Sequence, residues 1–186
     1  FFNKEAPDAT SIGLISKDKV WFSTTNGYIK SLDFRKNSTE SFNVSNNLSG
    51  VGNDHFIEKL YYTGNNTFLV STAAQGVKIF DIRQRSYKDL LATDEKGSVI
   101  HARDILHVRG DTYWFGTESG VFIYDLKKET YKRLRHHFND PYSLSDNAVY
   151  TLMKDREGGI WVGTYFGGLN YYPRQYNSFY SFFDKG

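Results

Sequence analysis

The sequence contains no cysteine, which excludes disulfide bonds, thiolate metal sites, cysteine nucleophiles and iron–sulfur clusters. It also lacks any run of about 18 apolar residues, so no segment is predicted to cross a membrane as a helix. An excess of charge of one sign is absent too, since 23 basic and 21 acidic residues give a formal net charge of +2. Charge therefore indicates neither nucleic acid nor an anionic membrane as the partner.

Residues that favour helices are few, whereas aromatic residues are abundant. Leucine and alanine together number 20 and methionine occurs once, against 14 Tyr, 15 Phe and 3 Trp. Aromatic side chains suit the half-buried surface of a sheet, so this balance predicts strands rather than helices. The 186 residues are enough for one globular domain with a sizeable core.

The sequence repeats a short pattern four times. The first positions of the four copies are separated by 48, 45 and 47 residues, and a glycine follows each copy. Four matching units in register indicate a repeat architecture. The tetrads are Trp21-Phe22-Ser23-Thr24, Leu69-Val70-Ser71-Thr72, Trp114-Phe115-Gly116-Thr117 and Trp161-Val162-Gly163-Thr164, and the glycines are Gly27, Gly76, Gly120 and Gly168.

Each unit is predicted to form four strands. An apolar run precedes the tetrad, a second follows the glycine, and a more polar run comes last, with Gly, Asn and Asp at the turns. Four strands in about 47 residues match one blade of a β-propeller. The sequence thus predicts an all-β partial propeller of four four-stranded antiparallel blades, at approximately 10–50, 55–98, 99–142 and 146–186. The alternative is a β-sandwich with coincidental spacing.

Two tetrad positions have a predicted packing role. The third position is small in every unit, so we expect it where neighbouring blades crowd together. The large Trp on the same strand is expected to wedge between neighbouring sheets. The small residues are Ser23, Ser71, Gly116 and Gly163, and the tryptophans are Trp21, Trp114 and Trp161.

The last unit resembles the two-component-regulator propeller repeat. The residues that carry this resemblance are 143–152 (SLSDNAVYTL), 155–164 (DREGGIWVGT) and 167–169 (GGL). The third unit, around Trp114, resembles the repeat clearly too. The second unit departs from it because Leu69 stands in place of Trp, and the first because Ser23 stands in place of Gly. With these departures, the resemblance covers all four units.

The resemblance implies a place in a larger protein. In that family the repeats form the extracytoplasmic sensor of hybrid two-component regulators, which are abundant in Bacteroides-type gut bacteria that degrade complex glycans. It implies two seven-bladed propellers, a β-sandwich, a membrane helix, and cytoplasmic kinase and DNA-binding parts. The chain is therefore expected to be about four blades of a periplasmic sensor region in an inner-membrane histidine kinase. An open set of four blades leaves faces exposed, so we expect association with the remaining blades or with a second copy.

No catalytic or metal-binding motif is evident. The sequence has no G-x-S-x-G, H-E-x-x-H or Walker pattern. His136 and His137 are adjacent, so on a strand they point to opposite faces and cannot hold one ion together. The acidic, glycine-containing segment 155–159 is better explained as a hairpin turn than as a calcium loop. No cofactor, metal or catalytic residue is expected in this chain, and the parent protein is expected to be the kinase.

Candidate ligand-binding residues come from the predicted loops. In a propeller, the loops between second and third strands gather on one face with those that precede each first strand, and ligands usually bind there. Aromatic faces pack against sugar C–H surfaces and polar side chains bond hydroxyls, so an oligosaccharide suits this lining. The candidates are Asn26, Gln75, Glu118, Tyr165 and Phe166 from the first class, and His101, Arg103 and Asp146 from the second.

Three functions remain open at this stage. The first is a sensing module that recognises a glycan and signals to a cytoplasmic kinase. The second is a non-catalytic dimerisation or assembly scaffold of the sensor. The third is a polysaccharide lyase or glycosidase on a propeller, which would need converging carboxylates with a His or Tyr.

Overall fold

The computed structural model describes residues 8–45, 55–174 and 180–181. Within these residues the chain forms strands and turns but no helix, and so has no helix able to span a membrane. The strands form four separate four-stranded antiparallel sheets, as the repeat predicts. The all-β fold of propeller blades is thereby confirmed.

Each sheet is a meander in which consecutive strands are neighbours. The first sheet contains β1 (Ala9–Ile15), β2 (Lys19–Thr24), β3 (Tyr28–Asp33) and β4 (Ser38–Asn43). The second contains β5 (Ile57–Tyr62), β6 (Thr67–Thr72), β7 (Val77–Asp81) and β8 (Ser86–Leu91). The third contains β9 (Ala102–Arg109), β10 (Thr112–Thr117), β11 (Gly120–Asp125) and β12 (Thr130–Leu134). The fourth contains β13 (Val149–Lys154), β14 (Ile160–Thr164), β15 (Leu169–Tyr172) and β16 (Tyr180–Ser181).

The chain divides into two compact units, Phe1–His101 and Ala102–Gly186. The first unit holds the first and second sheets, and the second unit holds the third and fourth. Each unit therefore contains one pair of packed sheets, and each has its own hydrophobic cluster.

The last threonine of each tetrad closes the turn between the second and third strands. Its hydroxyl donates to a main-chain carbonyl on the far side of that turn. Both the hydroxyl and the carbonyl thereby gain a hydrogen-bond partner within the protein. The donors are Thr24, Thr72, Thr117 and Thr164, and the acceptors are the carbonyls of Tyr28, Gly76, Gly120 and Gly168, at 2.8–3.1 Å. Gly76 has φ of 67°, and a Cβ there would lie 1.8 Å from the Leu91 carbonyl oxygen. The turn therefore requires glycine.

An aspartate ends the third strand in three of the sheets. One carboxylate oxygen accepts from the backbone N–H groups two and three residues later, which starts the turn to the fourth strand. These aspartates are Asp33, Asp81 and Asp125. The hydrogen bond from the Lys36 N–H lowers the pKa of Asp33, and that from the Lys128 N–H lowers the pKa of Asp125.

The tryptophans fill the space between the paired sheets in both units. Trp21 is 5% exposed and packs on Phe68 of the second sheet, with ring centroids 5.5 Å apart. Trp114 is buried and meets Tyr172 of the fourth sheet edge-on at 5.2 Å. The predicted wedge is confirmed for these two residues. Trp161 differs because it is only half-buried and packs on Tyr171 of its own sheet, at 4.6 Å.

A small residue allows the two sheets of the second unit to pack closely against each other. A Cβ on Gly116 would lie 2.9 Å from Val149 Cγ1 in the fourth sheet, which is closer than ordinary contact permits. The expected crowding at this tetrad position is therefore confirmed for Gly116. In the first unit the equivalent Ser23 is fully buried, and its hydroxyl lies 2.8 Å from the Thr10 hydroxyl.

One side chain links the paired sheets at the same place in each unit. In the first unit, Ser11 Oγ accepts from the Leu60 N–H at 3.1 Å. In the second, Asp104 Oδ2 accepts from the Leu152 N–H at 2.8 Å. Ser11 pairs with Ser23 and Asp104 pairs with Gly116, so the two linking residues occupy equivalent positions in their sheets.

Candidate functional site

The first strand of every sheet contains a β-bulge near its start. One residue of that strand has no partner in the ladder, because the residues on either side of it pair with consecutive residues of the second strand. Bulges redirect a side chain out of the regular alternation and are common beside functional sites. The four bulge residues are Thr10, Glu58, Arg103 and Tyr150.

In the second unit, the bulge residue of the third sheet forms an ion pair with the loop after β10. Arg103 Nε donates to Glu118 Oε1 at 2.6 Å, and Nη2 donates to the same oxygen. The Arg103 guanidinium also lies over the ring of Tyr150, 4.1 Å from its centroid. Arg103 thus connects the bulges of the third and fourth sheets.

Three aromatic side chains of the fourth sheet and its β14–β15 loop extend the chain of contacts that begins at Arg103. Tyr150 stacks on Tyr165 with centroids 5.4 Å apart and an interplanar angle of 25°. Tyr165 meets Phe166 edge-on at 4.3 Å. The three are 44%, 58% and 82% exposed, in the order Tyr150, Tyr165 and Phe166. We call these three residues the aromatic row.

A carboxylate fixes the loop that carries the end of the aromatic row. Asp146 Oδ2 accepts from the Phe166 N–H at 3.1 Å, and the Tyr165 N–H donates to the Ala148 carbonyl. The loop between β14 and β15 is therefore tied to the segment that precedes β13. These bonds hold Tyr165 and Phe166 at the surface and bring Asp146 beside them.

The structure thus brings together five of the eight candidate residues. Arg103, Glu118, Tyr165, Phe166 and Asp146 form one continuous set of contacts, with Tyr150 at its centre. Arg103 differs from expectation in its location, because it lies within β9 at the bulge rather than in a loop.

The three remaining candidates lie in the first unit and do not form such a set. His101 Nε2 pairs with Glu58 Oε1 at 2.8 Å, which places His101 against the bulge of the second sheet. Asn26 is exposed, and its side-chain oxygen accepts from the Thr24 hydroxyl at 2.8 Å. Gln75 differs from the expected solvent-facing lining, because it is 6% exposed and lines a small recess together with Gly27. The β6–β7 turn folds Gln75 inward, with its N–H bonded to Thr72 Oγ1.

Tyr150, at the centre of the set, and Glu58, the equivalent bulge residue that pairs with His101, are not reached by reasoning from loops. Both lie within predicted strands, so a search restricted to loops does not reach them. Each is the second residue of its strand in the structure and lies at the bulge, where the regular alternation is interrupted. That interruption becomes clear once the register is known.

The acidic, glycine-containing segment 155–159 has a structural role. Asp155 Oδ1 accepts from the Gly159 and Glu157 N–H groups, and Oδ2 accepts from Trp161 Nε1 at 3.2 Å. Burial raises the pKa of Asp155, but these hydrogen bonds outweigh it and leave the pKa lowered. The segment is a hairpin turn between β13 and β14, as predicted. Within residues 8–45, 55–174 and 180–181, no cluster of three or more His, Asp or Glu could hold a metal ion.

Comparison with known proteins gives matches of three kinds. Residues 143–166 match the model of the two component regulator propeller family. The chain is 25% identical over 171 residues to Histidine kinase P4 of Formosa agariphila, covering 91% of this chain and 11% of that protein.

Solved structures show the same fold. One is described as the extracellular domain of a hybrid two component system of B. thetaiotaomicron, with a TM-score of 0.66 and 21% identity over 84% of this chain and 19% of that one. Another, described as the extracellular domain of a one component system of the same organism, has a TM-score of 0.58 and 17% identity over 99% of this chain and 29% of that one.

The chain therefore spans less than a third of each of these relatives. The family match begins at Ser143, includes the bulge residue Tyr150 and ends at Phe166, so it contains the whole aromatic row. Residues 143–166 are thus a two-component regulator propeller repeat, the family that the repeated pattern of the whole chain resembles.

Proposed function

We propose that this chain is an extracytoplasmic, non-catalytic sensing module of a hybrid two-component sensor, and that it binds an oligosaccharide at the aromatic row. The family match and the relatives described as extracellular domains support the sensor role. The observation that carries the ligand proposal is the exposed row of Tyr150, Tyr165 and Phe166. In such a sensor, ligand binding would pass a signal to a cytoplasmic kinase.

The row has the chemistry that a sugar requires. Large aromatic side chains usually bury their faces, so three neighbouring exposed rings form an apolar surface that favours a partner. A sugar ring packs its C–H face on an aromatic ring while its hydroxyl groups form hydrogen bonds at the edges. Asp146 and Glu118 place carboxylate oxygens at the two ends of the set, where they can accept from hydroxyl groups.

Replacing Tyr165 tests this proposal. Tyr165 contacts both other rings, so Tyr165→Ala is expected to reduce oligosaccharide affinity by at least about tenfold, which corresponds to about 1.4 kcal/mol. Isothermal titration calorimetry against a panel of oligosaccharides measures the loss. Tyr142→Ala is a matched control, because Tyr142 is also 58% exposed but lies in the loop after β12. Equal affinity of Tyr165→Ala and wild-type protein would refute the site.

A second function, assembly, has an observation of its own. The outward face of the fourth sheet carries Trp161, Tyr171 and Met153, each half-buried or exposed. The equivalent residues of the third sheet pack against the fourth: Trp114, Ile123 and Leu106.

We propose that a further blade of the same repeat covers this face in the assembled sensor. Trp21 supports this proposal, because in the first unit it is covered by the next sheet in the same way. The blade would come from the remaining part of the longer protein or from a second copy. Mass measurement in solution separates these sources, since a second copy gives a concentration-dependent dimer that Trp161→Ala weakens. A protein that stays monomeric at high concentration and does not bind added blades of its parent would contradict the proposal.

A further inference from the structure

The side chain at the bulge differs in chemistry among the four sheets, whereas the strand pairing around the bulge is the same. In all four sheets the residue before the bulge pairs with the tetrad threonine, and the residue after it pairs with the small tetrad residue. The bulge side chains carry four different groups, namely the hydroxyl of Thr10, the carboxylate of Glu58, the guanidinium of Arg103 and the phenol of Tyr150. Each sheet therefore presents one bulge side chain, and these side chains differ in chemistry although they occupy the same position in the ladder.

The charge at the third bulge is already neutralised within the protein. Arg103 donates twice to Glu118, and its guanidinium covers part of the Tyr150 ring. The Arg103 side chain is only 21% exposed, compared with 38% for Glu118. An anion approaching the aromatic row would meet the Glu118 carboxylate and would have to displace it to reach the guanidinium.

The second guanidinium near this loop faces another direction. Arg133 Nε donates to the Ser119 carbonyl at 2.9 Å, and its guanidinium lies 4.9 Å from the Phe122 ring centroid. Arg133 and Phe122 are partners in the ladder and share the face of the third sheet opposite Leu134, which packs against the fourth sheet. Arg133 therefore does not extend toward the aromatic row.

At the other end of the row the charged group is also a carboxylate. Asp146 accepts from the Phe166 N–H, which leaves its other oxygen as a further acceptor for hydroxyl groups and makes this end unfavourable for an anion. The contacts around the row thus include ring faces, the carboxylates of Glu118 and Asp146, and the Arg103 guanidinium that is paired with Glu118.

We propose that the aromatic row selects an uncharged oligosaccharide over an acidic one, and that the Arg103–Glu118 pair sets this selectivity at the bulge. This inference rests on the proposed sugar-binding function and goes beyond it by naming the class of sugar. Tyr150, also at a bulge, has its ring in contact with Arg103 and Tyr165, and its remaining exposed surface borders the same ligand.

The test compares neutral and acidic members of an oligosaccharide panel by calorimetry with the whole chain. The neutral members are β-glucan, xylan, mannan, arabinan and galactan oligosaccharides, and the acidic ones are alginate, oligogalacturonate and chondroitin sulfate oligosaccharides. Oligogalacturonate and its fully methyl-esterified form make a pair with the same sugar backbone, in which the ester replaces the carboxylate charge. The wild-type protein is expected to bind its best neutral member at least about tenfold more tightly than any acidic one.

A charge variant shows whether the ion pair causes the preference. Glu118→Gln removes the carboxylate that pairs with the Arg103 guanidinium, so that a uronate or sulfate group can take its place. We expect Glu118→Gln to bind acidic members at least about threefold more tightly than the wild-type protein does, and neutral members more weakly, because a carboxylate acceptor for hydroxyl groups is lost. The double variant Arg103→Gln/Glu118→Gln should lose this gain. Circular dichroism confirms that each variant is folded.

The possible results separate the two proposals. Tighter wild-type binding of acidic members would overturn the selectivity while leaving the sugar-binding function intact. A neutral preference that Glu118→Gln leaves unaltered would overturn the role of the Arg103–Glu118 pair. Absence of binding to every member of the panel would overturn the sugar-binding function and this inference with it.

Discussion

The two units share one framework and differ in the side chains that it presents. Both pack a tryptophan between paired sheets, and both link the sheets through the residue that follows the bulge, Ser11 or Asp104. In the second unit, each bulge residue also contacts the residue 15 positions later, as in Arg103 with Glu118 and Tyr150 with Tyr165.

The corresponding residues of the first unit are smaller or are engaged elsewhere. The positions 15 residues after its bulges hold Thr25 and Ala73, which cannot form a comparable ion pair or ring stack. Thr10 lies against the Ser23 hydroxyl, and Glu58 pairs with His101. The framework therefore fixes where a side chain is displayed, and two positions per sheet decide whether a binding surface results.

The largest expected effect concerns the shared tryptophan. Trp114→Ala leaves a large cavity beside Tyr172, so we expect the free energy of unfolding to fall by about 3–5 kcal/mol. Trp21→Ala should cost a similar amount, because Trp21 is equally buried in the first unit. Urea denaturation of the purified variants measures both losses.

Trp161→Ala is the matched control for these two variants. Trp161 is half-buried and packs within its own sheet, so its loss should be clearly smaller, at about 1 kcal/mol. Equal losses for Trp114→Ala and Trp161→Ala would show that the space between sheets is not where the framework gains its stability.

An intermediate effect is expected at the link between paired sheets. Asp104→Ala removes a charged acceptor from the buried Leu152 N–H, which should cost about 2–3 kcal/mol. Ser11→Ala removes a neutral acceptor from the Leu60 N–H and should cost about 1 kcal/mol. Thermal or urea denaturation of both variants checks this order, and a larger loss for Ser11→Ala would contradict the equivalence of the two links.

The smallest effect concerns a surface network in the first unit. Glu40 pairs with Lys19 at 2.8 Å and with Arg85 of the second sheet at 2.9 Å. The hydrogen bond from Lys19 is the main cause that lowers the pKa of Glu40 below its ordinary value of 4.5. Because the Glu40 side chain is 36% exposed, solvent screens these pairs, and Glu40→Gln should cost less than about 1 kcal/mol.

The dependence of this effect on pH follows from the direction of the shift. A lowered pKa means that the ionised carboxylate is favoured in the folded state, so the contribution is present above pH 4.5 and is lost as the pH falls through the folded-state pKa. The stability difference between wild-type protein and Glu40→Gln should therefore disappear in acid, as urea denaturation across this range would show. A difference that grows on acidification would contradict the pairing.

Much of the framework could be predicted from the sequence because it depends on local chemistry. The tetrad threonines, the glycines with positive φ and the turn aspartates act within a few residues, so they mark strand ends directly. The repeat period then gives the number of sheets, and the small residue opposite the bulge anticipates close packing at Gly116.

The candidate site was less predictable, for a physical reason. A bulge removes one residue from the two-residue alternation of a strand, so a pattern of alternation misjudges where Arg103 and Tyr150 point. The burial of Gln75 depends on the short β6–β7 turn and on residues distant in sequence that line the same space, such as Gly27, and no local pattern predicts it. The half-buried state of Trp161 likewise depends on which sheet covers it, and no local pattern reveals that.

The central claim is that the second unit, and not the first, displays a carbohydrate-binding surface at its bulges. Nuclear magnetic resonance titration of the isotope-labelled chain with the best-binding neutral oligosaccharide tests this claim most directly. We expect the backbone amide shifts to change most at Arg103, Glu118, Tyr150, Tyr165 and Phe166, while Thr10 and Glu58 stay unchanged. Changes centred on Thr10, Glu58 and His101, with the aromatic row unaffected, would contradict it.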